Sequence, residues 1–202
     1  MKKYQIIYAD PPWKYKVWSE DKKVAQGTAK RYYQTMNVED ICALPISELA
    51  DKDCKLFLWA TPPCLQEALQ VMKSWGFGYK TIVFAWIKLN RTSNPNQSSF
   101  LPQDSISRFY GIGHWTASNI ELVLGGLKEG GRLDRKSKDI SQIVLSPLTK
   151  HSQKPPEIRD KIVRLCGNLP RIELFARQKI EGWDAIGFDI DGKDIQTSLK
   201  EL

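Results

Sequence analysis

The chain has 202 residues, a net charge of +7, 42% hydrophobic residues and 26% charged residues. This length predicts a single domain over residues 1–202, and no apolar run approaches the roughly 18 to 20 residues that cross a bilayer, which argues against a membrane protein. The four cysteines form no CxxC pair and there are two histidines, so the composition favours a cytoplasmic protein with reduced thiols and predicts no metal site.

Seven short runs rich in β-branched and aromatic residues predict strands. In chain order they are Tyr4–Ala9, Lys55–Ala60, Thr81–Lys88, Ile120–Gly126, Gln142–Ser146, Arg171–Ala176 and Trp183–Asp189. Three helical patterns lie between them, at Asn37–Ala50 with a break at Pro45, at Thr61–Gly76 and at Lys154–Asn168. The alternation predicts an α/β fold with a mostly parallel sheet, helices on both faces and ligands at the carboxyl ends of the strands. The residues expected near that edge are Asp10, Ala60, Lys88, Ser146, Arg177 and Asp189.

Two connections are long for a compact domain, Lys14–Tyr33 and Leu89–Gly113. Loops of this length often bind ligands. The first carries six Lys and Arg with aromatic residues between them, and cations that contact phosphates beside rings that stack on bases favour a nucleic-acid surface. Together with the polar segment Leu127–Asp139, these loops are where we expect sequence specificity to lie. Charge alone is weaker evidence, since many solvated surfaces are basic.

The first predicted strand is followed directly by Asp10-Pro11-Pro12-Trp13. One interpretation is a strand stopped by prolines, which cannot donate a backbone hydrogen bond. That interpretation does not explain an aspartate at the carboxyl edge of a parallel sheet. The proline rings would fix the Asp10 carboxylate and the Pro11 carbonyl as two acceptors, and Trp13 would add a flat apolar face. This set suits a planar group with an exocyclic amine, such as adenine, held in line with a methyl donor.

The motif resembles that of the S-adenosylmethionine-dependent N6-adenine methyltransferases, and the chain is similar to the MT-A70 family. Further landmarks follow in the family's order: YQTM (Tyr33–Met36), LFLWAT (Leu56–Thr61), WGF (Trp75–Phe77), WIK (Trp86–Lys88), GHW (Gly113–Trp115), HSQKPPEI (His151–Ile158), RIELFAR (Arg171–Arg177) and GWDAIG (Gly182–Gly187). The resemblance covers Ile6 to about Asp189. It implies a Rossmann-like class I methyltransferase fold in permuted order, with the catalytic motif ahead of the principal cofactor segment.

The resemblance also implies catalytic roles for the first motif. Asp10 and Pro11 hold the target amine, and Asp10 also contacts the cofactor. Pro12 shapes the turn, and Trp13 packs on the target base. Tyr33 lies near the substrate pocket by the same comparison, although it could equally anchor the basic loop.

The cofactor residues implied by the resemblance lie later in the chain. Ser152 and Lys154 match a loop near the methionine end of S-adenosylmethionine and the target base, and a lysine where a helix starts is disfavoured by the helix dipole unless it faces a ligand. Glu173 and Arg177 contribute to the cofactor pocket, with a salt bridge between them as the alternative. Asp189 accepts from the ribose hydroxyls.

The chain departs from the family pattern at a few positions. Gln153 replaces a histidine, and Phe188 replaces an asparagine. Nine residues precede Asp10, where longer relatives carry a segment that helps to bind the cofactor's adenine. The contact with that adenine must then come from elsewhere in the chain or from a partner subunit, or be absent.

The function implied is transfer of a methyl group from S-adenosylmethionine to the N6 amine of adenine in nucleic acid, with the base flipped into the pocket. DNA is favoured over RNA because the short form is similar to microbial members. The alternatives are an RNA adenine methyltransferase, a weakly catalytic nucleic-acid-binding subunit of a complex, and methylation of a protein amide. A homodimer or a partner subunit is compatible with the sequence, and a membrane is not expected.

Overall fold

The computed structural model describes residues 2–14, 35–91, 107–111, 115–149 and 153–202. Tyr33, Ser152 and most of the loops Lys14–Tyr33 and Leu89–Gly113 lie outside these residues. The chain groups into two compact units. The first unit comprises Met1–Thr81, Leu124–Leu133 and Leu169–Leu202, and the second comprises Ile82–Val123 and Asp134–Asn168. The prediction of one domain over residues 1–202 stays a prediction.

The predicted seven-stranded α/β sheet is confirmed. The strands are β1 (Tyr4–Ala9), β2 (Ala50–Ala60), β3 (Phe77–Leu89), β4 (Ile120–Lys128), β5 (Ile143–Pro147), β6 (Arg171–Leu174) and β7 (Asp184–Ile186). Their order in the sheet is β5-β3-β4-β2-β1-β6-β7. The pairs β1–β2, β1–β6, β6–β7 and β3–β5 are parallel.

Strand β4 runs against β3, which makes the sheet mixed. The amide of Lys88, at the end of β3, donates to the carbonyl of Asn119, just before β4. At the opposite ends, the amide of Glu129 donates to the carbonyl of Gly76. The start of β4 therefore lies at the same edge as the carboxyl end of β3.

The helices are α1 (Val38–Cys42), α2 (Ile46–Leu49), α3 (Leu65–Ser74), α4 (Glu157–Cys166), α5 (Phe188–Asp191) and α6 (Ile195–Lys200), and a 3₁₀ turn at Pro62–Cys64 precedes α3. The predicted break at Pro45 separates α1 from α2. The predicted glycine stops are also present, since Gly76 and Gly167 have φ of 79° and 90°, where other residues are strained. Helices α5 and α6 were not predicted.

In the first unit, β1 is a central strand between β2 and β6, and its apolar side chains are 0–1% exposed. Because successive side chains of a strand point to opposite faces, β1 is buried on both faces of the sheet. Indole groups in this core have hydrogen-bond partners. Trp59 Nε1 donates to the Tyr8 hydroxyl over 2.6 Å, and Trp75 Nε1 donates to the Ile41 carbonyl over 2.8 Å. Burial of each such ring contributes roughly 2–3 kcal/mol, so the core fixes the position of the residues that follow β1.

Two predicted strands end earlier than expected. Strand β6 stops at Leu174 because Phe175 has a φ of 60°, which lies outside the extended region. Strand β7 stops at Ile186, and the chain then turns into α5. Asp189 therefore lies in a one-turn helix and does not end a strand, which corrects the sequence-based placement.

Candidate active site

The Asp10–Trp13 segment forms a hydrogen-bonded turn immediately after β1. The Asp10 amide donates to the Leu174 carbonyl of β6 at 3.5 Å, and the Trp13 amide donates to the Pro11 carbonyl at 2.9 Å. Pro12 lies at the centre of this turn, and its carbonyl accepts from the amide of Met36 at 2.9 Å. With φ fixed at both prolines, these bonds make the turn rigid.

The two predicted acceptors differ in accessibility. The Asp10 side chain is partly exposed, whereas Pro11 is buried. The Pro11 carbonyl already accepts from the Trp13 amide. A carbonyl oxygen has two lone pairs, so it can accept a second hydrogen bond.

Trp13 is only 4% exposed, and its Nε1 donates to the Trp59 carbonyl at 3.1 Å. Trp59 lies in β2, the neighbour of β1. The indole therefore joins the turn to the core and orients the residues before it. The proposed contact of its face with a base stays a prediction.

The first group of predicted cofactor residues lies in or shortly after β6 and β7, the next strands along the sheet. Glu173 is 6% exposed and lies between Tyr8 of β1 and Ala185 of β7. Arg177 follows the left-handed residue Phe175 and is exposed, and Asp189 is exposed in α5. Sparsely populated backbone conformations occur often at functional sites. Because these strands are parallel, their carboxyl ends share the edge where Asp10 lies.

Lys154 lies in the second unit and belongs to an ion cluster with Glu121 and Lys88. Glu121 Oε1 is 2.7 Å from Lys88 Nζ, and Glu121 Oε2 is 3.3 Å from Lys154 Nζ. The three side chains are 18%, 11% and 9% exposed for Lys88, Glu121 and Lys154 respectively. Each carboxylate oxygen therefore faces a different ammonium group. The sum of the three charges is +1.

The electrostatics of the cluster are set by two opposing effects on Glu121. Burial raises the pKa of its carboxyl, but the charges and hydrogen bonds of Lys154 and Lys88 outweigh burial and hold that pKa below its ordinary value. Glu121 is therefore ionised at neutral pH, and it fixes both ammonium groups.

Sequence reasoning did not select Glu121 or Lys88 as site residues. The available signal was an acidic residue inside the apolar run IELVLGG, because a buried charge requires a partner. Lys88 was predicted to lie at the carboxyl edge, but it was assigned no role there. The antiparallel direction of β4 brings Glu121 to that edge.

A short antiparallel hairpin lies in the second unit, at the end of the predicted loop Leu89–Gly113 and just after it. Leu89 forms a bridge with Arg108, and Gly111 forms one with Ser118. Two aromatic residues of this hairpin are exposed, Tyr110 by 67% and Trp115 by 94%. Exposed rings beside a cation are typical of surfaces that contact nucleic-acid bases.

Within the described ranges, no group of three His, Cys, Asp or Glu side chains could hold a metal ion. All four cysteines are free thiols. No helix in the described part of the chain is long and apolar enough to cross a membrane.

Comparisons with known proteins agree with this architecture. The sequence model of the MT-A70 family matches residues 4–189. The Type II methyltransferase M.MunI of Mycoplasma sp is 31% identical over 208 residues, which is 96% of this chain and 81% of the relative. The human N(6)-adenosine-methyltransferase catalytic subunit METTL3 is 26% identical over 94% of this chain and 29% of the relative. An MT-A70-like protein of Drosophila melanogaster is 27% identical over 94% of this chain and 27% of its own length.

The family match spans most of the chain and includes the turn after β1, Glu173 and Lys154. The relative matched over 81% of its length supports the same assignment. The chain therefore belongs to the MT-A70 family.

Proposed function

We propose that the chain is an S-adenosylmethionine-dependent methyltransferase that acts on the N6 amine of adenine in nucleic acid, with DNA as the favoured substrate. The observation that carries the proposal is the rigid turn with Asp10 at the carboxyl end of β1. Family membership and the relatives named as N6-adenosine methyltransferases support the chemistry. The Type II methyltransferase, matched over most of its length, supports DNA.

The residues at the carboxyl edge of the first unit fit the chemical groups of the cofactor. S-adenosylmethionine has a carboxylate, an ammonium group, a ribose diol and a purine, and it supplies an electrophilic methyl group when bound. Arg177 offers a directed set of donors for the carboxylate. Asp10 and Asp189 offer acceptors for the ammonium group and the diol, with Glu173 buried beneath them in β6.

The turn explains how an amine that is a poor nucleophile reacts. The Asp10 carboxylate would accept from one N–H of the adenine amine, and the second lone pair of the Pro11 carbonyl would accept from the other. These bonds would favour a pyramidal nitrogen with its lone pair directed at the electrophilic methyl group that the bound cofactor supplies. The proton that the amine loses on methylation would pass to the Asp10 carboxylate along the hydrogen bond between them. The main contributions are fixed geometry and preorganised acceptors, without a histidine base.

Lys154 remains a proposed contact of the cofactor and the target base, as the resemblance implies, and Glu121 with Lys88 would keep its ammonium group in one position. Trp13 would act mainly through the position of the turn. Tyr33 and Ser152 remain proposed substrate contacts, as the resemblance implies. A flipped adenine costs about a few kcal/mol to extract from a duplex, and aromatic residues near Trp13 and Tyr33 would offset part of this cost by stacking.

The test is methyl transfer from labelled S-adenosylmethionine to DNA and to RNA, with mass analysis of the nucleosides. We expect N6-methyladenine in DNA, and a loss of about 100-fold or more with Asp10→Asn and Asp10→Ala. Glu129→Gln, which changes an exposed acid of the same unit, is the matched control and should retain activity.

Two outcomes would contradict the proposal. Binding of nucleic acid without methyl transfer under any condition would favour the binding-subunit alternative. A methylated protein amide, with no methylated base, would favour the amide alternative. N6-methyladenosine in RNA alone would instead correct the substrate from DNA to RNA.

A further inference from the structure

A cleft lies in the first unit, at the edge of the sheet opposite Asp10. The parallel strands β1 and β2 pair at Tyr4 and Ala50 where they start, and β4 ends beside them at Lys128. The cleft has a volume of about 550 Å³, and its lining includes Lys3, Asp51, Lys52, Lys128, Glu129 and Gly130. Because the six residues of β1 rise about 3.3 Å each, the cleft is roughly 20 Å from the turn at Asp10.

Backbone carbonyls fix two ammonium groups of this cleft. Lys3 Nζ donates to the Glu48 carbonyl at 2.5 Å, and Lys128 Nζ donates to the Ala50 carbonyl at 2.8 Å. These carbonyls lie at the end of α2, where lysines commonly donate to the last carbonyls of a helix. An ammonium group has three N–H donors, so both lysines can still donate to a ligand. Lys52, exposed in β2, adds a third ammonium group, which capping of α2 does not require.

The carboxylates of the cleft do not balance its lysines. Asp51 is ionised, because hydrogen bonds from Gln5 and from the Lys52 amide hold its pKa below the ordinary value. One Asp51 oxygen accepts from Gln5 Nε2 at 3.1 Å, and the other accepts from the Lys52 amide at 2.7 Å. With Glu129, the lining has two carboxylates against three ammonium groups, a net charge of +1. The cleft therefore favours an anionic ligand.

The turn after β4 gives a ligand access to the main chain. The Gly131 amide donates to the Lys128 carbonyl at 2.8 Å, and Gly130 within this turn has a φ of 75°. No described residue lies within 4 Å of the position that a Cβ of Gly130 would take. A glycine in such a turn lets a ligand approach the backbone, whose amides can donate to an anion.

We propose that this cleft is a second binding site, which holds phosphate groups between the side chains of Lys3, Lys52 and Lys128. Ammonium groups bind phosphate as point charges. A free nucleotide and the backbone of a nucleic acid both present this chemistry. The inference goes beyond the proposed function and does not depend on it, because it involves neither S-adenosylmethionine nor Asp10. The start of the predicted specificity segment Leu127–Asp139 would then contact phosphate groups away from the target adenine.

The test is titration of the isotope-labelled chain with thymidine diphosphate and with oligothymidylate, followed by NMR. Both probes lack adenine, and both should shift the amide signals of Lys52, Glu129 and Gly130. At these signals, Lys52→Met should weaken binding of each probe about 5-fold or more. Lys200→Met removes an exposed charge from α6 of the same unit and should bind as the wild type does. Thermal unfolding of both variants checks that the fold is intact.

The two probes distinguish the sources of the phosphate. Tighter binding of oligothymidylate, with a steeper dependence on salt, would assign the cleft to a nucleic-acid backbone. Tighter binding of thymidine diphosphate would assign it to a free nucleotide. Unshifted amide signals with both probes, wild-type affinity of Lys52→Met, or an equal loss for Lys200→Met would overturn the proposal. None of these outcomes measures methyl transfer, so the proposed function stands or fails separately.

Discussion

The Lys88–Glu121–Lys154 cluster gives a quantitative prediction for Glu121→Gln. The substitution keeps the shape of the side chain but removes its negative charge. Two ammonium groups that are 18% and 9% exposed are then left next to a neutral amide. The charge of the cluster rises from +1 to +2.

The magnitude follows from the distances. At an effective dielectric constant of about 20, pairs separated by 2.7 and 3.3 Å attract by about 6 and about 5 kcal/mol respectively. Desolvation of three charges cancels much of this attraction, and removal of one partner from a buried pair typically costs about 3–5 kcal/mol. Because the groups keep some solvent contact, we expect a loss of about 3 kcal/mol. For a chain of this length that lowers Tm by roughly 6–12 °C.

The assay is urea unfolding of the wild type, Glu121→Gln, Lys154→Met and the double variant, with Glu129→Gln as the exposed control. The double variant should lose less stability than the sum of the single variants, because each single change leaves a charge without its partner. Additive losses, or a Glu121→Gln effect no larger than that of Glu129→Gln, would refute the coupling.

The same cluster predicts a pH dependence with a definite sign. The pKa of Glu121 is held below its ordinary 4.5 in the folded state, so its stabilising contribution is complete above about pH 4.5. It is lost as the pH falls through the lower folded value. The difference in stability between wild type and Glu121→Gln should therefore shrink in acid. A difference that stays constant from pH 7 to pH 3 would contradict this assignment.

Three further substitutions test separate parts of the structure. Trp13→Phe removes the donor to the Trp59 carbonyl and shrinks a buried ring, so we expect a loss of about 2 kcal/mol in urea unfolding and a lower rate of methyl transfer. Gly187→Ala places a Cβ in steric overlap with the Ala176 carbonyl oxygen and should lower Tm by several degrees and weaken S-adenosyl-L-homocysteine binding. Trp115→Ala should leave Tm unchanged, because the ring is exposed, while fluorescence anisotropy shows weaker binding of single-stranded DNA by about 5-fold or more.

Each of these has a clear contrary outcome. Unchanged stability of Trp13→Phe would show that the indole does not hold the turn. Wild-type Tm and affinity for Gly187→Ala would show that the β6–β7 contact can relax. If Trp115→Ala alters the oligomeric state in light scattering while DNA binding is retained, the hairpin contacts a protein subunit.

Several structural features of this protein could be predicted from local sequence patterns. The strand Tyr4–Ala9 was predicted with its observed bounds, since an apolar run followed by two prolines has few alternatives. The stops at Gly76 and Gly167 followed from their conformational freedom. The motif at Asp10 could also be recognised, because its chemistry depends on adjacent residues.

The tertiary structure decided the features that depend on strand order and direction. Glu121 reaches Lys154 because β4 runs antiparallel, and no local pattern encodes the direction of a strand. Trp13 is buried, and its indole N–H donates to the backbone carbonyl of Trp59 in β2. The β7 strand ends at Ile186, and the backbone of Gly187 then lies close to Ala176 of the neighbouring segment. These contacts join residues distant in sequence, and their energy exists only after the sheet has formed. Local patterns could therefore predict the turn at Asp10, but not the residues that hold the Lys154 ammonium group.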